Sequence, residues 1–401
     1  MESVWETKIL CKFAKPNVSV EQIPAMFLKR LIIKDFKNIS EADLIFSDGL
    51  NCICGDNGEG KTNLLDAIWH LSMTKSFLLL TDRYTCRKGT GQTVLNGTYA
   101  DGAEEHKVAF SLSSGGEKSL RKDGKNYNRL SDHIGEIPVV VISPSDTSLV
   151  TESGEERRRF LNIMLSQADR SYLQAVQNYN RCLSQRNKVL RQMSENQKNG
   201  LGNGGIDMLL EAISIQLDIT ASTIYQARKS ACRQLSEKVS EYYRMISTDR
   251  EEVSMTYVSD LEKGEMSELL NASLERDKIL LYTSVGIQRD DIRLLMNGLP
   301  MKQCASQGQQ KSFVTALKMS QYSIMRERYG MPPILLLDDI FDRLDSKRVE
   351  CLLKMVSGPD FGQIFITDTD RERLSVLASD APLFSVKNGA ISNVSSSEND
   401  L

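Results

Sequence analysis

Gly55-Asp56-Asn57-Gly58-Glu59-Gly60-Lys61-Thr62 is a complete GxxxxGK[ST] segment. Its glycines let backbone N–H groups turn toward phosphate oxygens, and a helix opening at its end adds a dipole that favours negative charge. Lys61 can reach terminal phosphates, and the hydroxyl of Thr62 can hold Mg²⁺. Such a site needs a further carboxylate for the metal, at the end of a neighbouring hydrophobic strand. Ile334-Leu335-Leu336-Leu337-Asp338-Asp339 has that form. We read Asp338 as the metal-side carboxylate and Asp339 as the group that orients or polarises an attacking water. Cys304-Ala305-Ser306-Gln307-Gly308-Gln309-Gln310-Lys311-Ser312 is a small polar turn that opens a helix, and so is a second anion site.

Positioning these residues requires strands and helices at set places. Short strands are expected at Leu28 to Ile33, Ala42 to Phe46 and Leu50 to Cys54, then a helix from Gly60 to Met73. Thr93 to Tyr99 and Lys107 to Leu112 read as an antiparallel lobe. From Gly154 to about Thr248 the apolar spacing becomes helical (Phe160, Met164, Tyr172, Val176, Tyr179, Leu183), and the glycine-rich stretch Asn199 to Gly205 turns one helix back on another. The heptads are too few for an extended coiled-coil arm. Strands return at Val253 to Tyr257, Ile334 to Leu337 and Ile364 to Thr367, with a helix over Gln309 to Tyr329. Because 276 residues separate Lys61 from Asp338, the nucleotide domain is split. We expect an α/β head formed by 26–153 and 254–390, a helical insertion at 154–253, an N-terminal extension at 1–25 and a disordered tail at 391–401. Met26 is a plausible alternative start.

The composition narrows the class. Fifty Lys+Arg against 53 Asp+Glu give a formal charge of -3, which excludes a wholly basic nucleic-acid coat. Eight scattered cysteines without a CxxC pair or metal-ligand spacing suit a reducing cytoplasm. No apolar run approaches a spanning helix and no signal-peptide core opens the chain, so no membrane partner is expected. His70, His106 and His133 lie far apart and form no nuclease or metal constellation.

Taken together, these residues resemble the ABC-type ATPase heads of the SMC superfamily, and Ser306-Gln307-Gly308-Gln309-Gln310-Lys311 looks most like the RecF family of bacterial DNA repair proteins. The likeness also covers Phe36-Lys37-Asn38, Gly58 to Ala67, Glu156 to Leu161, Tyr179-Asn180-Arg181, Gln185-Arg186-Asn187 and Arg289-Asp290-Asp291. It departs at Gln288, where the family usually shows His, and at Leu78, where it usually shows Arg. The resemblance implies ATP and Mg²⁺ as ligands and an ATP-dependent homodimer. Lys61, Thr62 and Asp338 of one subunit would face Ser306 and Gly308 of the other, with Gln307 and Gln309 beside them. It places Asp345 in a loop crossing the dimer interface and Thr367 at the switch position near the γ-phosphate. It further implies binding of gapped or single-strand/double-strand junction DNA, cooperation with RecR and RecO, RecA loading, replication repair and SOS induction.

DNA contact must come from local basic patches, because phosphate neutralisation needs Lys or Arg gathered on one face. Lys118, Arg121, Lys122, Lys125 and Arg129 stand against only Glu117 and Asp123, with Tyr127 interleaved. Arg157 and Arg158, in the run Arg157-Arg158-Arg159, are a second candidate. Neither patch carries a base-reading helix, so backbone contacts are expected. The leading expectation is a slow, DNA-stimulated ATPase that switches DNA binding. A nucleotide-gated clamp with incidental hydrolysis, or another SMC-like ATPase, remains open, while a transporter subunit is disfavoured by the long insertion.

Overall fold

The computed structural model describes residues 26–78, 81–199, 204–247, 251–341, 346–377 and 381–394. The expected extension at 1–25, residues 395–401 of the expected tail, and Asp345 lie outside them. In the first compact unit, Met1–Asp146 with Gln321–Leu401, β1 (Phe27–Phe36) and β2 (Ile39–Ile45) pair antiparallel. Alternation in β1 puts Leu28, Leu31, Ile33 and Phe36 in the core. β3 (Leu50–Cys54), α1 (Lys61–Met73), β4 (Gln92–Asp101), β5 (Glu104–Ser113), β6 (Lys118–Lys122), β7 (Lys125–Asn126) and β8 (Val139–Ile142) follow.

The second unit, Thr147–Ser320, contains α2 (Gly154–Ala168), α3 (Arg170–Lys198), α4 (Ile206–Ser247), β9 (Val253–Val258), α5 (Met266–Leu280), β10 (Asp291–Met296) and β11 (Leu299–Pro300). Caps fix its helix starts. Ser153 accepts from Glu155 N ahead of α2, and Asp169 accepts from Ser171 N and Tyr172 N ahead of α3. With 42 residues, α4 is about 63 Å long, and it packs along α3. The division of the chain differs from the sequence expectation, which ended the insertion at 253. Val253, Met255 and Tyr257 of β9 bury their side chains and β9 packs on α4, so β9 to β11 belong to the helical unit.

α6 (Gln307–Tyr329) contains the chain boundary between the units. β12 (Ile334–Leu337), α7 (Ser346–Val356), β13 (Ile364–Asp368), α8 (Arg371–Leu377), β14 (Leu383–Lys387) and β15 (Ala390–Asn393) complete the first unit. β15 carries order to Val394, correcting the expected start of the disordered tail at 391. A six-stranded sheet runs β15-β14-β3-β13-β12-β8, parallel except for β15, and an antiparallel sheet runs β2-β1-β4-β5-β6-β7. The parallel strands are buried along their length, as four-residue runs such as Ile334–Leu337 require when both faces are covered. α1 packs against strands of both sheets, which explains why it is buried on nearly every side. No described helix is long and apolar enough to cross a membrane. Cys52, Cys54, Cys182 and Cys232 are buried free thiols, and burial pushes Cys52 and Cys232 up to about 12.

Candidate nucleotide site

β3 delivers the glycine-rich loop at its C-terminal end, and α1 opens directly behind it. Gly58 and Gly60 have φ of 86° and 119°, values open to glycine, and Gly60 takes the N-cap position of α1. The N–H groups of a helix's first turn have no partner within the helix, so this end favours an anion. Lys61 is nearly buried, and its Nζ donates to Gly55 O at 2.8 Å and Asp56 O at 3.2 Å. The same ammonium stands 3.7 Å from Asp339 Oδ1.

β13 lies between β3 and β12, so three neighbouring parallel strands end at one place. Thr62 Oγ1 is 3.0 Å from both oxygens of Asp338, and Thr367 Oγ1 donates to Asp338 Oδ1, also at 3.0 Å. Thr367 in turn accepts from Asp339 N at 2.8 Å. Asp339 has φ of 42°, a left-handed conformation uncommon outside glycine and characteristic of constrained sites. Burial pushes the Asp338 carboxyl up to about 6, opposed by the Thr62 hydroxyl. A cation would reverse that preference by favouring the carboxylate.

Among the described residues no group of three or more His, Cys, Asp or Glu side chains is placed to hold a metal. The pair formed by the Thr62 hydroxyl and the Asp338 carboxylate nonetheless fits Mg²⁺. This hard cation takes one or two protein oxygens and completes its shell with water and phosphate oxygens.

A supporting layer was not singled out among the sequence-predicted site residues. Asn38 Nδ2 donates to Glu59 O at 2.8 Å and Asn38 Oδ1 accepts from Asn63 Nδ2 at 2.8 Å, tying the β1–β2 turn to the loop. Beside it Lys37 and Asp66 form a buried ion pair at 2.6 Å, while Asp66 also accepts from Ser76 Oγ and Phe77 N. The sequence signals were the Phe36-Lys37-Asn38 element of the resemblance and the Gly58 to Ala67 element, which contains Asn63 and Asp66. Spacing could not tell which partners they meet.

Ser306, Gln307, Gly308 and Gln309 belong to the second unit and start α6. Ser306 N donates to Gln309 Oε1 at 2.8 Å while Gln309 N donates to Ser306 Oγ at 3.3 Å, a reciprocal capping box that fixes the helix entry. Gln309 Nε2 also donates to Glu251 at 2.8 Å. Gly55, Asp56, Asn57, Gly58, Glu59, Gly60, Lys61, Thr62, Asp338, Asp339 and Thr367 all lie in the first unit.

The expected DNA-contacting residues divide. Arg121 and Lys125 are exposed on the β6–β7 hairpin, with Arg121 Nε on Asn126 Oδ1. Lys118 pairs with Asp82 at 2.8 Å and Lys122 with Glu136 at 2.7 Å, both part-buried. Arg157 and Arg158 have acceptors within the second unit. Arg157 is bidentate to Asp291 at 2.6 and 3.0 Å, and Arg158 donates to Asp290 O at 2.7 Å while burial pulls it below its ordinary value. Part-buried guanidiniums on internal acceptors are structural ties.

Those ties extend into a buried network that sequence reading missed. Arg228 meets Asp290 at 2.6 Å, Ile287 O at 2.9 Å and Tyr172 OH at 3.1 Å, and Tyr257 OH donates to the same Asp290 carboxylate. Arg186 pairs with Asp277 at 2.6 Å and Thr283 Oγ1 at 2.8 Å. The departure at Gln288 is accommodated, because its amide oxygen accepts from Tyr179 OH and its Nε2 donates to Val285 O. Arg228 and Asp277 carry no motif of their own, and a lone charge inside a helical period gives no sign of burial.

The parallel sheet, the glycine loop and the carboxylate pair define an ABC-type P-loop ATPase head, with an antiparallel β lobe and a helical insertion. The RecF/RecN/SMC N terminal domain profile matches residues 27–392. A "DNA replication and repair protein RecF" of Parabacteroides distasonis is 39% identical over 91% of this chain and 99% of its own length. That of Bacteroides fragilis is 38% identical over 93% and 100%. A solved structure of the recombination mediator protein RecF-ATP in the RecFOR pathway superposes with TM-score 0.83 at 29% identity, covering 94% of this chain and all of that one. An Smc head from Pyrococcus furiosus, with TM-score 0.53 at 14% identity, shares the fold. The chain belongs to the RecF/RecN/SMC N terminal domain family and, within it, to the RecF group of DNA replication and repair proteins.

Proposed function

We propose that this protein is an ATP-dependent DNA-binding switch of recombinational repair. The observation that carries the reading is the meeting of Thr62, Asp338, Thr367 and Asp339 beside Lys61. Mg²⁺, when bound, supplies a positive charge that screens the triphosphate and the developing charge on its oxygens. Thr62 and Asp338 hold that ion, and Lys61 exchanges its loop carbonyls for terminal phosphate oxygens. Thr367 fixes Asp338 and the Asp339 backbone together, so that Asp339 orients the attacking water and accepts its proton. Hydrolysis is slow and DNA-stimulated, and it serves as a timer.

Two copies close on two ATP molecules, with Ser306 and Gly308 of one reaching the nucleotide of the other and Gln307 and Gln309 lining the same helix start. DNA with a gap or a single-strand/double-strand junction binds through phosphates, using Arg121 and Lys125 of the β6–β7 hairpin. The relatives' names support a role in DNA replication and repair within a RecFOR pathway; a cytoplasmic location, RecR and RecO as partners, RecA loading and SOS induction complete the proposal.

The test is the solution mass of wild type and Lys61→Met with Mg-ATP, with and without gapped DNA, across a salt series. ATP-dependent doubling in wild type, lost in the variant and favoured by DNA, is expected. A mass that stays monomeric at micromolar protein in every condition refutes the two-copy switch. Single-turnover hydrolysis by Asp339→Asn at the wild-type rate would refute the role of that carboxylate and leave a nucleotide-gated clamp.

A further inference from the structure

The last hairpin of the chain grips the glycine loop from outside. β14 and β15 are joined by Asn388 and Gly389, whose φ of 51° and 78° make the left-handed pair of a type I′ turn, the turn that Asn-Gly favours. Asn388 N–H donates to the Glu59 carboxylate. Gly389 N–H donates to Glu59 O at 2.9 Å, the same oxygen that accepts Asn38 Nδ2 at 2.8 Å. At the opposite end of the loop, Val386 O of β14 lies so close to Gly55 that a Cβ there would overlap it. Gly389 is as tightly placed, since a Cβ on it would overlap the Asn38 backbone carbonyl.

We propose that the Asn388-Gly389 turn is a positioning element for nucleotide binding, one that holds Glu59 and thereby keeps the loop in the shape that receives a nucleoside triphosphate. This rests on the nucleotide-dependent reading above. Each of the loop's three glycines loses more conformational entropy on ordering than any other residue would. A clamp that orders the loop in advance removes that cost from binding. Glu59 immediately precedes Gly60, Lys61 and Thr62, so movement at Glu59 passes directly to the groups that meet phosphate and metal. The turn itself contributes no group to phosphate or metal, so its influence falls first on affinity.

The experiment uses the full chain, with Mg-ATP affinity by calorimetry and kcat by steady-state hydrolysis, for Gly389→Ala, Glu59→Ala, the double variant and Asn388→Asp. Gly389→Ala forces a side chain into a positive φ and against Asn38, and is expected to weaken Mg-ATP binding about tenfold, the loss typical of a hydrogen bond to a charged group, with kcat little changed. Glu59→Ala leaves the hairpin intact and is expected to weaken Mg-ATP binding to a similar degree, which keeps the proposal testable should Gly389→Ala fold poorly. Because both act through the same clamp between turn and loop, the double variant is expected to lose less than the sum of the two single losses. Asn388→Asp tolerates the left-handed conformation and keeps its N–H, but sets a second carboxylate on the residue that holds Glu59 and is expected to weaken Mg-ATP binding. Unchanged affinity in Glu59→Ala, or additive losses, overturns the positioning role. Wild type that binds no Mg-ATP overturns the nucleotide reading, and the proposal with it.

Discussion

Replacing His70 with Phe should flatten the acid sensitivity of the fold. His70 is fully buried on α1, its ring edge-on to Phe36 and Phe110 at centroid distances of 5.6 and 4.9 Å, and neither ring nitrogen has a hydrogen-bond partner among the described residues. Burial pulls its pKa down to about 3, and the charges of Lys118 and Lys37 act in the same direction. The unfolded chain takes up this proton near pH 6.5, so below that value the unfolded state binds more protons and stability falls as pH falls. Between pH 7.5 and 4.5 the loss from this one residue is about 3 kcal/mol. Phenylalanine keeps the aromatic packing and abandons no hydrogen bond; any overpacking, about 1–3 kcal/mol, is independent of pH. Urea unfolding followed by Trp69 fluorescence at the two pH values gives four free energies. Contributions common to both proteins, Asp338 and His133 included, cancel in the difference of differences. A wild type that loses no more stability than His70→Phe over this range would refute the reasoning.

Asp277→Ala should destabilise by about 3–5 kcal/mol in denaturant unfolding, because it leaves the buried Arg186 guanidinium facing Thr283 alone. A loss below roughly 1 kcal/mol, the scale of exposed pairs, would show the pair to be solvated. Ser306→Ala should cost about 1 kcal/mol through the lost cap and abolish ATP-driven doubling in sedimentation; retained doubling counts against the signature's role. Arg121→Ala with Lys125→Ala should lower the slope of log affinity against log salt for duplex-containing DNA by about 1.8, two phosphate contacts' worth. An unchanged slope would move the DNA surface elsewhere.

Much of the head was legible because its signals are local. The apolar run Ile334–Leu337 and the strand Leu50–Cys54 have the observed limits, and Lys61–Met73 differs from the expected helix by one residue. The meeting of Thr62 with Asp338 followed from motif chemistry, although the chain path between them is long. What stayed hidden depends on tertiary partners. Arg157 and Arg158 look basic and free in sequence, yet their acceptors at Asp290 and Asp291 stand more than 130 positions away. The end of the insertion was misplaced because β9 carries an ordinary alternating pattern, silent about whether α4 or another element covers it.

The position of β13 in the parallel sheet has a consequence for how the protein is made. β13 separates β3 from β12, so neither can take its final neighbour until a strand from the last tenth of the chain has left the ribosome. Asp338 follows Thr62 by 276 positions, which take about 14–55 s to translate at about 5–20 residues per second. Over that interval the glycine loop exists without its carboxylate. The helical unit is synthesised meanwhile, a contiguous stretch with a core of its own. A nascent chain stalled before Ile364 would therefore hold a formed insertion and an unfinished sheet, its exposed strand edges waiting for one late strand.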